Sequence, residues 1–267
     1  MPESQPDKLV HKKSNLHKQV LVVWILLMAG SLGVLGLFDW GSPRLMNYLE
    51  SKNPRIFYDR AKILAQEEKY PKALETLQKA LSILPSEYSF LMLQGDILEK
   101  QDKLDEAYPS FAKAEKTDSK RWEPPFRMGV ILSKKKDYKA AVVYLQKAAA
   151  INSSERWVYN TLAWSAFEDK QMDVAYQAFE KASELAPQSP DYPLMMGKIL
   201  ASRNQWSQAL TLFQKSFSVD STCIDAFLGA GQACLKMGDK SNARTYYQQA
   251  LKLDPANPLA LKELADI

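Results

Sequence analysis

The sequence predicts an all-α chain: a solenoid of six helix pairs, closed by a C-terminal capping helix and preceded by one transmembrane helix. Three observations predict it. Small residues recur every 34 residues from position 54 onward. Within each unit the apolar residues follow helical spacing, and no strand-like alternation occurs. Residues 20–38 run for 19 positions without a charge. The composition, 46% apolar and 25% charged, is globular.

Composition also excludes much chemistry. The only two histidines, His11 and His17, precede residue 20, so no histidine-based triad, dyad or metal site is available to the rest of the chain. Two cysteines, Cys223 and Cys234, make neither a disulfide framework nor a four-cysteine zinc site. A net charge of +4 over 267 residues is too weak a bias to argue for nucleic acid. No glycine-rich phosphate loop occurs. We expect no enzyme, no cofactor and no metal.

The first element is a basic tail, 1–19, with Lys8, Lys12, Lys13 and Lys18. The apolar run 20–38 follows; as a helix it spans about 28 Å, near the thickness of a bilayer core. A cleaved signal peptide is the rival. The run continues through Val34, Leu35, Leu37 and Phe38, past any small-residue cleavage site, which favours an uncleaved anchor. Only Arg44 and Lys52 follow closely, so the lysine excess predicts a cytoplasmic N-terminus and a repeat domain on the outer side, periplasmic or lumenal. Ala29 and Gly33 form a small-xxx-small pair, which leaves self-association open. Residues 39–53 form a juxtamembrane linker with a short helix, capped by Ser42 with Pro43 in its first turn.

The repeats then run over 54–255. Alanine stands at 73, 107, 141, 175, 209 and 243, and a small residue follows seven later at Ala80, Ala114, Ala148, Ala182, Ser216 and Ala250. A third small series is Ala61, Gly95, Gly129, Ala163, Gly197 and Gly231; a large series is Leu77, Phe111, Leu145, Phe179, Phe213 and Tyr247. Small residues let two helices approach, and the large one fills the gap they leave. The units are 54–87, 88–121, 122–155, 156–189, 190–223 and 224–257, without insertion or deletion. One such unit cannot bury its apolar face alone, so neighbours must stack. Asn257-Pro258 starts a final helix, 258–267, whose Lys262, Glu263 and Asp266 suit a solvated cap.

Unit 4 carries Tyr159, Leu162, Ala163, Ala175, Phe179, Ala182 and Pro187; units 2 and 6 carry Gly95, Leu98, Ala107, Phe111, Ala114 and Phe227, Gly231, Ala243, Tyr247, Ala250, Pro255. These offsets resemble the tetratricopeptide repeat (TPR) family. The resemblance implies a right-handed superhelix whose first helices line a concave groove that binds peptides or protein segments. It implies groove residues mainly at positions 2, 5, 9 and 12 of each unit; the fifth are Tyr58, Met92, Phe126, Asn160, Leu194 and Leu228. At the ninth it implies Lys62, Asp96, Val130, Trp164, Lys198 and Gln232. The grip of some members on chaperone C-termini needs lysine at the fifth position and asparagine at the ninth; here the fifth never holds lysine and the ninth never holds asparagine. The expected function is a membrane-tethered scaffold or adaptor that binds protein segments and assists assembly of an envelope or membrane complex. The resembling architecture in bacteria is an inner-membrane protein. The alternatives are an organelle-surface receptor for targeting segments and a self-associating structural membrane protein.

Overall fold

The computed structural model describes residues 52–267. The predicted transmembrane helix 20–38, the basic tail and nearly all of the linker 39–53 lie outside them. No helix among the described residues is long and apolar enough to cross a membrane.

Thirteen helices and no strand make up the described residues. The first helices of the six units are α1 (Pro54–Gln66), α3 (Tyr88–Lys100), α5 (Glu123–Lys134), α7 (Arg156–Glu168), α9 (Asp191–Ser202) and α11 (Ile224–Lys236). Their partners are α2 (Tyr70–Ile83), α4 (Leu104–Thr117), α6 (Tyr138–Ile151), α8 (Met172–Leu185), α10 (Trp206–Val219) and α12 (Lys240–Leu253). The cap is α13 (Pro258–Ala265). Local chemistry starts several of them. Asn53 precedes Pro54 and accepts the Arg55 amide at 3.0 Å; Asn257 precedes Pro258 and accepts that of Ala260 at 3.1 Å. Asp137 and Asp239 cap α6 and α12 in the same way.

Each helix packs chiefly on its neighbours in the chain. The recurrent alanines are the contact points: Ala73, Ala107, Ala141, Ala175, Ala209 and Ala243 are all fully buried. Serine replaces alanine at Ser216, equally buried, and its hydroxyl donates to the Pro190 carbonyl at 2.9 Å, so the substitution leaves no orphaned polar group. The lysine run Lys134, Lys135 and Lys136, where α5 turns into α6, is partly committed to ion pairs. Lys134 reaches Glu99 at 2.8 Å, and Lys135 pairs with Asp105 of the preceding unit.

The turn inside every unit places one residue in the left-handed region: Glu68, Asp102, Lys136, Lys170, Asn204 and Gly238, with φ between 58° and 84°. Only the last is glycine. For an L-residue this conformation costs about 1–2 kcal/mol, partly offset because glycine has more freedom to lose on folding. Asp102→Gly and Lys136→Gly should therefore each raise stability by roughly 0.5–1 kcal/mol, and Gly238→Ala should lower it by ~1 kcal/mol. Thermal unfolding of the three variants checks the signs.

Tyr247 is 1% exposed at the last helix pair. Burial, with a smaller contribution from Glu263, pushes its phenol from 10.0 up to about 12. The fold thus favours the neutral phenol. Its contribution is complete below pH 10 and disappears as pH rises through about 12, the size being on the order of 2 kcal/mol. Tyr247→Phe should flatten the loss of stability between pH 10 and 12, read from urea midpoints.

Candidate functional site

Successive first helices touch: α1 with α3, α5 with α7, α9 with α11. No two second helices pack as closely among the described residues. The first helices therefore crowd the inner side of the curve, and their outward-pointing side chains line a groove.

At the N-terminal end the groove floor is occupied by its own contacts. Tyr58 is half-buried and stacks on Phe90, ring centroids 5.0 Å apart, while Lys62 is exposed. Met92 bridges two apolar clusters. Asp96 is tied to Arg127, whose Nε lies 3.2 Å from Oδ1. The same guanidinium reaches Glu99 at 3.3 Å and covers the Phe111 ring at 5.6 Å. Asp96, Glu99, Lys100, Arg127 and Lys134 line a cleft of about 160 Å³. Glu99 is only 10% exposed here, so the pairing offsets its lost hydration. Asp96 is thus an inter-unit tie rather than a free groove acid.

The middle of the groove is different. Phe126 is half-buried beside Trp122, at 5.6 Å, and Val130 and Asn160 are also half-buried. Two indoles stand out on α7. Trp164 is 39% exposed and rests edge-on against Phe179 at 5.3 Å. Trp157 is 54% exposed; among the described residues its one ring contact is the Arg156 guanidinium, 4.3 Å from the centroid. Seven residues apart on a helix, the two lie about 10 Å apart along one face.

Leu194 departs from the expectation. It is 7% exposed and packs with Ala209, Phe213, Ala226 and Ala230, so it belongs to the core. The small Ala226 and Ala230 let α11 close over it. Beyond it the groove ends in a cleft of about 450 Å³ lined by Lys198, Trp206, Phe213, Asp225, Leu228, Gly229, Gln232 and Leu259, among others. Lys198 and Asp225 pair across units 5 and 6 at 2.7 Å.

The expected positions thus fall into three groups: Asp96 and Lys198, tied in ion pairs between units, the buried Leu194, and the remainder, half-buried or exposed on the first helices. Sequence reasoning did not name Trp157, although its position is one the resemblance turns to the groove, and it missed Arg127, Trp206, Gly229 and Leu259. Trp157 occupies the second position of its unit, and Gly229 is a glycine outside the periodic series; both were visible signals. No group of acidic, histidine and cysteine side chains suited to a metal ion occurs among the described residues. The groove offers aromatic faces, apolar walls and paired charges, which is the chemistry of non-covalent recognition.

Models of the tetratricopeptide repeat match residues 54–121, 126–155, 158–189 and 224–257. TPR repeat-containing protein MJ1428 of Methanocaldococcus jannaschii is 25% identical over 86% of this chain and 50% of its own. This chain spans half or less of the length of the curated relatives it matches. The C-terminal part of a TPR protein from Cytophaga hutchinsonii superposes with a TM-score of 0.67 at 21% identity, covering 83% of this chain and 92% of that one. YrrB, described as a TPR protein with an unusual peptide-binding site, gives 0.64 at 22% identity, covering 71% and 98%. At these identities the likeness is one of fold.

Proposed function

Because this chain belongs to the tetratricopeptide repeat family, we propose that it is a membrane-tethered scaffold that holds protein segments in the groove of its first helices. One observation carries the reading: Trp157 and Trp164 stand 54% and 39% exposed on the groove face of α7. Indoles left in water on a curved inner face are the residues that dominate protein interfaces once covered. The description of YrrB as having a peptide-binding site supports the same use of the fold.

The tether is the uncharged run 20–38, and the lysines before it favour a cytoplasmic N-terminus with the repeats on the opposite side. Held at a surface, such a groove raises the local concentration of its partner there. Assistance to assembly of an envelope or membrane complex is the role proposed for such a tethered scaffold.

Site-specific photo-crosslinking in cells tests the proposal. A probe at Phe126, on the groove face, should give a discrete heterologous adduct; a control probe at Lys113, exposed on α4, should not. Deleting residues 20–38 should release the protein from the membrane fraction and reduce that adduct. Adducts only to itself would move the function to self-association. A repeat domain labelled from the cytosolic side would favour a receptor for targeting segments.

A further inference from the structure

At the sixth position of units 1 to 5 stand Asp59, Leu93, Arg127, Thr161 and Met195; unit 6 has Gly229. The consequence is local. In unit 3 the Arg127 guanidinium covers the Phe111 ring of the unit before it, at 5.6 Å. In unit 6 nothing rises from that position. The Phe213 ring lies directly on Gly229, where a Cβ would come within 2.7 Å of it. Beside this contact lies the cleft of about 450 Å³ at the C-terminal end of the groove, with Gly229 and Phe213 in its lining.

From this cleft we infer an anchor pocket for one bulky, uncharged side chain of a bound protein segment. The inference rests on the groove being a protein-binding surface. The volume lies within the range of about 300–1,000 Å³ typical of sites that enclose small ligands, so it takes an aromatic or large aliphatic group with its flanking backbone. Trp206, Phe213, Leu228 and Leu259 supply apolar walls. Leu259, 46% exposed on the cap, gains most from being covered.

Charge selects the occupant. The only charged lining groups are Lys198 and Asp225, and they satisfy each other at 2.7 Å. The pocket therefore carries no net charge. A charged anchor would be desolvated against apolar walls with no spare counter-ion. Gln232, at the lining, is left to bond the amides of the incoming backbone.

The experiment uses the full chain labelled with 5-fluorotryptophan, the Trp206 signal being assigned by its loss in Trp206→Phe. N-acetyl-L-phenylalaninamide is the probe. A ligand of this size at ordinary efficiency binds at about millimolar Kd, so a saturating shift of the Trp206 signal is expected in that range. The capped aspartate and lysine amides should shift it at least about tenfold more weakly. Leu259→Glu, a change at an exposed site, should abolish the shift while leaving the helical circular dichroism unchanged. A silent Trp206 signal, equal shifts from the charged probes, or an undiminished shift in Leu259→Glu would each overturn the pocket. Partner adducts at Phe126 are read separately. Their persistence beside a silent Trp206 would sink the pocket alone, and their absence beside a saturating shift would sink the groove reading alone.

Discussion

Replacing Phe111 with alanine is expected to lower the unfolding free energy by about 3–5 kcal/mol, the range for a large aromatic removed from a packed core. The ring is fully buried in α4 and clusters with Leu98, Met128 and Ile131, so one side chain joins two units. The loss combines the transfer of an aromatic group with a cavity that α3, α4 and α5 cannot all close. The same site predicts a compensating pair. A Cβ on Gly95 would stand 2.6 Å from the Phe111 ring, so Gly95→Ala alone overpacks and should cost roughly 1–3 kcal/mol. Unit 1 solves the same contact with Ala61 and Leu77, both fully buried. Gly95→Ala with Phe111→Leu should therefore cost clearly less than the sum of the two single changes. Urea denaturation of the four variants measures this coupling. A loss below about 1 kcal/mol for Phe111→Ala would mean that adjoining units refill the gap, contrary to nearest-neighbour stacking.

The periodic part of this fold was legible because its cause is local and repeated. Ala107 and Ala114 are small for the same steric reason in every unit, so a 34-residue period reports a packing geometry. The turns were less legible. Lys136 and Lys170 hold left-handed backbone without being glycine, and the pattern that normally marks such a turn appears only at Gly238. The groove was legible as a face but not as chemistry. Leu194 and Leu228 share a repeat position, yet one is core and the other lines a cleft, because Ala226 and Ala230 allow α11 to close over the first. Asp96 looked available because its partner, Arg127, lies 31 residues away on another helix. A repeat position states which way a side chain points; what meets it there depends on residues of the next unit, which vary.

That distinction separates the two tryptophans of α7. Trp157→Ala is expected to weaken partner capture at least about tenfold while leaving the melting temperature unchanged. The indole is 54% exposed and, among the described residues, its one ring contact is the neighbouring Arg156, so the fold loses little with it. Covered by a partner, the same ring would bury most of its apolar surface at small entropic cost, having only two rotatable bonds. Trp164→Ala should weaken capture too, but with a drop of ~1 kcal/mol in stability, because that ring also meets Phe179 at 5.3 Å and Phe167 at 6.4 Å. The two variants thus part on one axis and agree on the other. Adduct yield from the Phe126 probe, measured beside thermal unfolding, gives both axes for each variant. Undiminished capture by Trp157→Ala would place the interface away from α7, since no fold-level loss is available there to mask or mimic the effect. Trp157→Phe, which keeps an aromatic face of smaller area, should fall between alanine and wild type, because what the groove offers a partner at this point is surface to cover rather than a charge to satisfy.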